Sequence, residues 1–123
     1  MNGNFEVVDF ADLAGFSPAD GIVGRALFGQ HAQLTLVEFE PDTVAPLHTH
    51  PQEQLSIVLR GTEIFMVDGV EQVLGPMQGY VVAGNHPHGA RSGTEGATAL
   101  EVFFPLRQDY VDARAGRPTK AFC

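Results

Sequence analysis

The chain predicts an all-β domain, a sandwich or barrel of short strands. Three observations carry that expectation. Fourteen glycines and eight prolines punctuate short apolar runs along the whole of the 123 residues. No stretch of a dozen residues has the 3.6-residue apolar period of a helix buried on one face. Between two of the apolar runs lies Asp68-Gly69, a pair that accepts positive φ at both central positions of a type I′ turn and so closes a tight hairpin.

The expected strands follow in order, each bounded by residues that break a ladder. Gly21 to Phe28 stops at Gly29, and Gln33 to Phe39 stops ahead of Pro41. Gln54 to Leu59 and Thr62 to Val67 are separated at Gly61, and Thr62 to Val67 is joined through the Asp68-Gly69 hairpin to Val70 to Leu74. Tyr80 to Val82, Gly89 to Ser92 and Ala99 to Phe104 complete eight, set apart by Gly84, Pro87, Gly93, Gly96 and Pro105. Phe10 to Ala14 suits a helical turn, and the tail after Asp109, through Ala113 to Ala115, suits a short helix ahead of Gly116, Arg117 and Pro118. The length fits a single domain over residues 1–123, and 44% apolar residues supply about 54 side chains for one core.

Charge and composition exclude several functions. Seven basic residues face fifteen acidic ones, a net charge of −8, and only one of the cations is a lysine. Nucleic-acid binding draws on clustered Lys and Arg, and none cluster here. The start, MNGNFEVVDF, is not a basic segment followed by an apolar run, and no stretch nears the roughly 20 apolar residues of a membrane span, so export and insertion are not expected. The single cysteine, Cys123, rules out an intrachain disulfide and a thiolate zinc site, which points to the cytoplasm.

Four of the five histidines fall in two tight groups, His48 with His50 in PLHTHPQEQ and His86 with His88 in GNHPHG. On an extended chain, residues i and i+2 point to one face, which is how a β-scaffold offers two imidazoles to one metal ion. Parity places 48, 50 and 54 together and sends 53 to the other side; a bend at Pro51 resets that parity, so both Glu53 and Gln54 are candidates for an oxygen ligand. With His88 from a later strand, the set suits zinc, iron, nickel or manganese. His86 has the parity of His88 and is a candidate acid or base at the pocket mouth, against the plainer alternative of a solvated loop histidine. His31 follows Gly29-Gln30 and is expected at the surface.

These stretches resemble the two signature motifs of the cupin superfamily. The first is His-x-His, three or four residues, Glu or Gln, six residues, Gly, and it is met by His48, His50, Gln54 and Gly61. In the second, MQGYVVAGNHPHG, Met77, Gln78 and Ala83 replace the usual Gly, Asp and Pro, while Gly84, Asn85, Pro87 and His88 keep the pattern. The resemblance implies an RmlC-like jelly roll, a double-stranded β-helix barrel, with one divalent ion held by His48, His50, Gln54 and His88. It selects Gln54 over Glu53. It also implies a homodimer, in which an N-terminal strand over Asn4 to Phe10 adds to the partner's sheet.

Three neutral imidazoles and a neutral amide leave a divalent ion's charge uncompensated, which favours anions and Lewis-acid work over redox cycling. The set is similar to that of the small cupins that linearise unsaturated uronates in pectin and alginate breakdown. Those carry an acid in a closing Leu-Asp-Val-Phe-x-Pro-x-Arg segment, here Leu100 to Arg107 with Glu101 at the acid position. Aimed into the barrel, Glu101 would be desolvated and tuned toward acid–base use; with Leu100, Val102 and Phe104 inward it would face solvent. Arg107 is a candidate for a substrate carboxylate, or for Asp109 or Glu101. Phe39, Phe65, Tyr80, Phe103 and Phe104 are candidate wall residues, and Gln33, Tyr80 and Arg91 candidate polar contacts. The expected activity is isomerisation, ring opening or elimination on a small oxygen-rich anion. Its rivals are a mononuclear iron dioxygenase, a polyketide-tailoring cyclase and a non-catalytic ligand-binding cupin.

Overall fold

The structure, a computed structural model, describes residues 3–117. Eight strands form one antiparallel sheet: β1 (Phe16–Ala19), β2 (Ile22–Phe28), β3 (Gln33–Phe39), β4 (Val44–His48), β5 (Glu53–Val67), β6 (Val70–Leu74), β7 (Gly79–Val82) and β8 (His88–Phe104). Their order is β1-β2-β3-β8-β5-β6, with β4 on β8 and β7 on β5. The all-β barrel is as expected, but the division into strands differs. The glycines read as breakers at 61, 93 and 96 are bends instead: β5 and β8 pass straight through them, with register shifts between Val58 and Arg60 and between Gly61 and Glu63. Gly61 has φ +74°, and a Cβ there would collide with the Gly96 carbonyl oxygen, so glycine is what lets the two long strands cross at this corner. β1 and β4 went unread because Pro18 and Pro46 interrupt them. Proline is tolerated in β1 because it is an edge strand, and in β4 because its pairing with β8 is broken by a bulge between Ala45 and His48.

The hairpin stands where expected, Val67 opposite Val70, with φ +53° at Asp68 and +72° at Gly69. A 3-10 turn over Phe10–Asp12 starts under the side chain of Asp9, which accepts from the Ala11 N–H at 2.9 Å. The C-terminal helix α1 runs Gln108–Arg114, earlier than expected, because Tyr110 is buried against Phe16 and Phe103. Residues from 118 on, including Cys123, lie outside the described residues. Asn4 to Phe10 forms no strand within the chain, and Phe5 and Val7 there are exposed.

Two small apolar clusters occupy the interior. One gathers Ile22, Val37, Phe39, Ala45, Ala90 and Ala97; the other gathers Phe16, Ala26, Phe28, Phe103 and Tyr110. Polar side chains are buried as well. Across β3, β8, β5 and β7 the register aligns Thr35, Glu101, Ser56 and Tyr80, and the next row aligns Gln33, Phe103, Gln54 and Val82. A buried polar row costs stability unless its members satisfy one another, which marks it as the place to look for chemistry.

Candidate metal centre

His48 ends β4 and lies opposite His88, the first residue of β8. His50 follows in the β4–β5 connection, and Gln54 is the second residue of β5. The sheet thus brings the two histidine motifs and the glutamine to one point. Ring centroids are 4.6 Å apart for His48 and His88, 4.9 Å for His50 and His88, and 5.4 Å for His48 and His50. One ring nitrogen from each of the three falls within 4.8 Å of the others.

Backbone carbonyls fix the tautomers. The Nδ1 atoms of His48, His50 and His88 face the carbonyl oxygens of Pro46, Gln52 and His86 at 2.8, 3.0 and 2.7 Å. A carbonyl only accepts, so each Nδ1 carries the proton and each Nε2 presents a lone pair. Burial holds all three imidazoles below their ordinary 6.5, His50 as far as about 4 with the Arg107 charge assisting, so they stay neutral near pH 7.

The Gln54 amide donates from Nε2 to Ser56 Oγ at 3.1 Å and Tyr80 Oη at 3.0 Å, which turns Oε1 to His50 Nε2 at 3.1 Å and His88 Nε2 at 3.3 Å. An acceptor oxygen against two imidazole lone pairs is repulsive unless a cation lies among them. The donors therefore fit a divalent ion, in number, element and protonation state. When bound, such an ion would act as a Lewis acid on an oxygen of its ligand.

Glu101 faces inward, which settles the alternative left by its strand: Phe103 and Ala99 share its side and are buried, while Phe104 is exposed. Burial pushes its carboxyl up to about 8, the Glu63 charge adding and Arg107 opposing. It lines one cavity with His48, Gln54, His88, Tyr80 and Phe103. That cavity has a volume of about 30 Å³, room for an ion and a water. An adjoining groove of about 480 Å³ along Pro46–Gln52 and Arg107–Asp109 shares His48 and Arg107 with it.

Arg107 is buried, with its guanidinium bidentate on Asp109 at 2.7 and 3.2 Å and 4.1 Å from the Tyr110 ring centroid. Gln33 reaches in and accepts the Arg107 N–H at 2.7 Å. Tyr80 stacks on Phe65 with centroids 3.7 Å apart, and burial holds its phenol well above 10.

Three candidates are placed elsewhere. The His86 ring turns outward to Asp68 at 2.8 Å, because the neighbouring hairpin supplies an anion there; only its carbonyl serves the centre. Arg91 pairs with Glu71 on the exterior, and Phe104 lies outside with it. Glu63 went unread. It is fully buried with neither oxygen in hydrogen-bond geometry, and burial raises it to about 7 against a smaller pull from Tyr80. Its signal was parity with Phe65 in the run Thr62 to Val67.

The sequence profile of the cupin domain matches residues 35–103, more than half of the chain. This chain is a cupin. The pectin degradation protein KdgF of Dickeya dadantii (strain 3937) is 24% identical to the cupin over 94 residues, 75% of this chain and 86% of that protein. Among solved structures, an RmlC-like cupin from Shewanella frigidimarina NCIMB 400 matches with a TM-score of 0.80 at 24% identity, covering 89% of this chain and 99% of that one. KdgF from Halomonas sp. matches with a TM-score of 0.73 at 21% identity, covering 79% and 92%. The structural matches establish the RmlC-like fold of this cupin. No helix among its described residues is long and apolar enough to cross a membrane.

Proposed function

We propose that this cupin is a metal-dependent enzyme of non-redox chemistry, acting by isomerisation, ring opening or elimination on a small oxygen-rich anion such as an unsaturated uronate. The observation that carries this is a wholly neutral donor set, three members of which line one small cavity while His50 borders the adjoining groove, together with a buried carboxyl that keeps its proton in that same cavity. His48, His50, His88 and Gln54 supply no negative charge, so a bound zinc, iron, nickel or manganese ion would keep its full attraction for an anion. Glu101 is protonated near neutral pH and sits where it can give a proton to the reacting end of a ligand and take one back. The Arg107 guanidinium, lining both the cavity and the groove, adds positive charge along the approach. Phe103, Tyr80 and the neighbouring walls leave room only for a small reacting group, with the rest of the ligand outside. Similarity to a pectin degradation protein favours uronates within that class.

The test is metal analysis of the purified protein beside a His88→Ala control, followed by incubation with an unsaturated uronate. Ring opening removes the conjugated enol ether, so ultraviolet absorbance should fall with the metal-loaded protein, and Glu101→Gln should keep the metal while losing that turnover. Turnover surviving Glu101→Gln refutes the acid–base role. Iron with oxygen uptake would replace this reading by a dioxygenase.

We also propose a homodimer, with Asn4 to Phe10 seated on the partner. Exposed Phe5 and Val7 support it, as does the outer face of β5, β7 and β8, where Leu55, Val81 and Phe104 are all exposed. Light scattering giving a monomer mass overturns it.

A further inference from the structure

Glu63 enters the chemistry proposed above only through its distant charge on Glu101, yet it is wholly buried in the barrel and neither of its oxygens is held in hydrogen-bond geometry. Such a group costs stability, and a native chain that keeps one needs a reason. Ser92 lies opposite it in the register with its hydroxyl already given to the Glu40 carbonyl, the Tyr80 hydroxyl bears on it directly, and Glu101 adds a more distant charge.

The reason lies in the Gln54 amide, which fits its site in two ways. With nitrogen toward Ser56 and Tyr80, its oxygen faces the histidines, as in the structure. Turned over, its oxygen would accept from both hydroxyls, and its NH₂ would face His50 and His88, donating to their lone pairs and repelling a cation. The choice depends on where the Tyr80 proton goes. If Tyr80 donates to Gln54, the amide turns over; if Tyr80 donates elsewhere, its oxygen is free to accept from the amide. Glu63 is a buried acceptor with no donor held in hydrogen-bond geometry, and the Tyr80 hydroxyl is beside it.

We propose that Glu63 is a positioning residue that draws the Tyr80 hydroxyl proton to itself and so locks the Gln54 amide with its oxygen toward the histidine triad. This rests on the metal-binding reading of the triad. It implies a chain of fixed direction, Gln54 N–H to Tyr80 oxygen and Tyr80 O–H to Glu63, in which a residue outside the cavity sets the fourth donor.

Cobalt(II) alone is the probe, titrated against a chromophoric chelator, with the d–d spectrum reporting the donors. Glu63→Leu should weaken cobalt binding by about 10–100-fold, the usual effect of losing a partner behind a metal ligand, and shift the d–d bands as an oxygen donor is lost. It should melt no lower than the parent, since the desolvation of a buried carboxyl costs more than its one contact with Tyr80 returns. Glu63→Gln keeps an acceptor oxygen and should bind within about threefold of the parent. Tyr80→Phe should weaken binding, and in that background Glu63→Leu should add little, because its route is gone. Parental affinity in Glu63→Leu overturns the proposal, as does an equal loss with and without the Tyr80 hydroxyl. Should Glu63→Leu fail to fold, parental affinity in Tyr80→Phe overturns it by itself. A parent that binds no cobalt overturns the metal reading itself, a distinct result.

Discussion

Replacing Glu101 by Gln should change how the stability of the metal-free protein depends on pH. The buried Glu101 carboxyl keeps its proton up to about 8, whereas an unfolded chain releases it near 4.5. A group whose folded pKa is raised adds nothing below the unfolded value and subtracts about 1.4 kcal/mol for each pH unit between the two. For Glu101 that is about 3 kcal/mol at pH 7 and about 4 at pH 8, where it is half titrated, against a typical domain stability of about 5–15 kcal/mol. Glu63, raised to about 7, acts with the same sign and levels off earlier. The three clustered histidines act oppositely, from a little above their ordinary 6.5 downward, where the unfolded chain takes up protons that the folded one refuses. In the window from 6.5 to 8 they offset up to about 1 kcal/mol, equally in parent and variant, so the difference between the two curves isolates Glu101. Across it the parent should lose about 2 kcal/mol through Glu101, and Glu101→Gln less than about 1 through Glu63, with the curves converging near pH 4.5. Urea unfolding in the presence of a chelator, at half-unit steps of pH, measures this. A parent whose stability is flat from 6.5 to 8, or a variant with the same slope, would refute the inward desolvated placement of Glu101.

Three further outcomes are expected. His88→Ala removes a donor of the only His triad found among the described residues, and metal should fall from one equivalent to background by elemental analysis. His86→Ala should leave metal affinity within about twofold, because its ring serves an exposed pair with Asp68 worth no more than about 1 kcal/mol and its carbonyl survives the change. Gly61→Ala combines a positive φ with a clash against the Gly96 carbonyl, and should cost more than about 3 kcal/mol by chemical denaturation or abolish folding.

The barrel was legible because breakers and short runs are a property of composition, and the gathering of His48, His50, Gln54 and His88 because their motif spacings resemble ones that a cupin sheet brings together from separate elements. What stayed hidden depends on register. Alternation in Leu100 to Phe104 allows Glu101 to point either way, and only its place opposite Thr35 and Ser56 decides the matter. The two longest strands were split because a glycine that bends a strand and one that ends it look alike until the crossing neighbour, Gly96 over Gly61, is known. His86 shares a parity with His88, yet the hairpin aspartate that captures its ring is 18 residues away in sequence. Glu63 was missed because an acidic residue in an apolar run reads as the solvent side of a strand.

The four donors differ in how firmly the chain holds them. Gln54 and His88 belong to β5 and β8, which pair with each other along nearly their whole length and with further strands on either side. His48 closes a five-residue strand joined to β8 alone across a bulge, and His50 stands in the connection beyond it. Half of the centre is built on strands paired on both sides, and half on a strand paired on one side only, whose fewer backbone hydrogen bonds should let it open first. An ion shared between them would act as a clasp, lending the protection of the long strands to the short one, so that amide exchange in Val44 to Pro51 becomes a gauge of occupancy that needs no substrate.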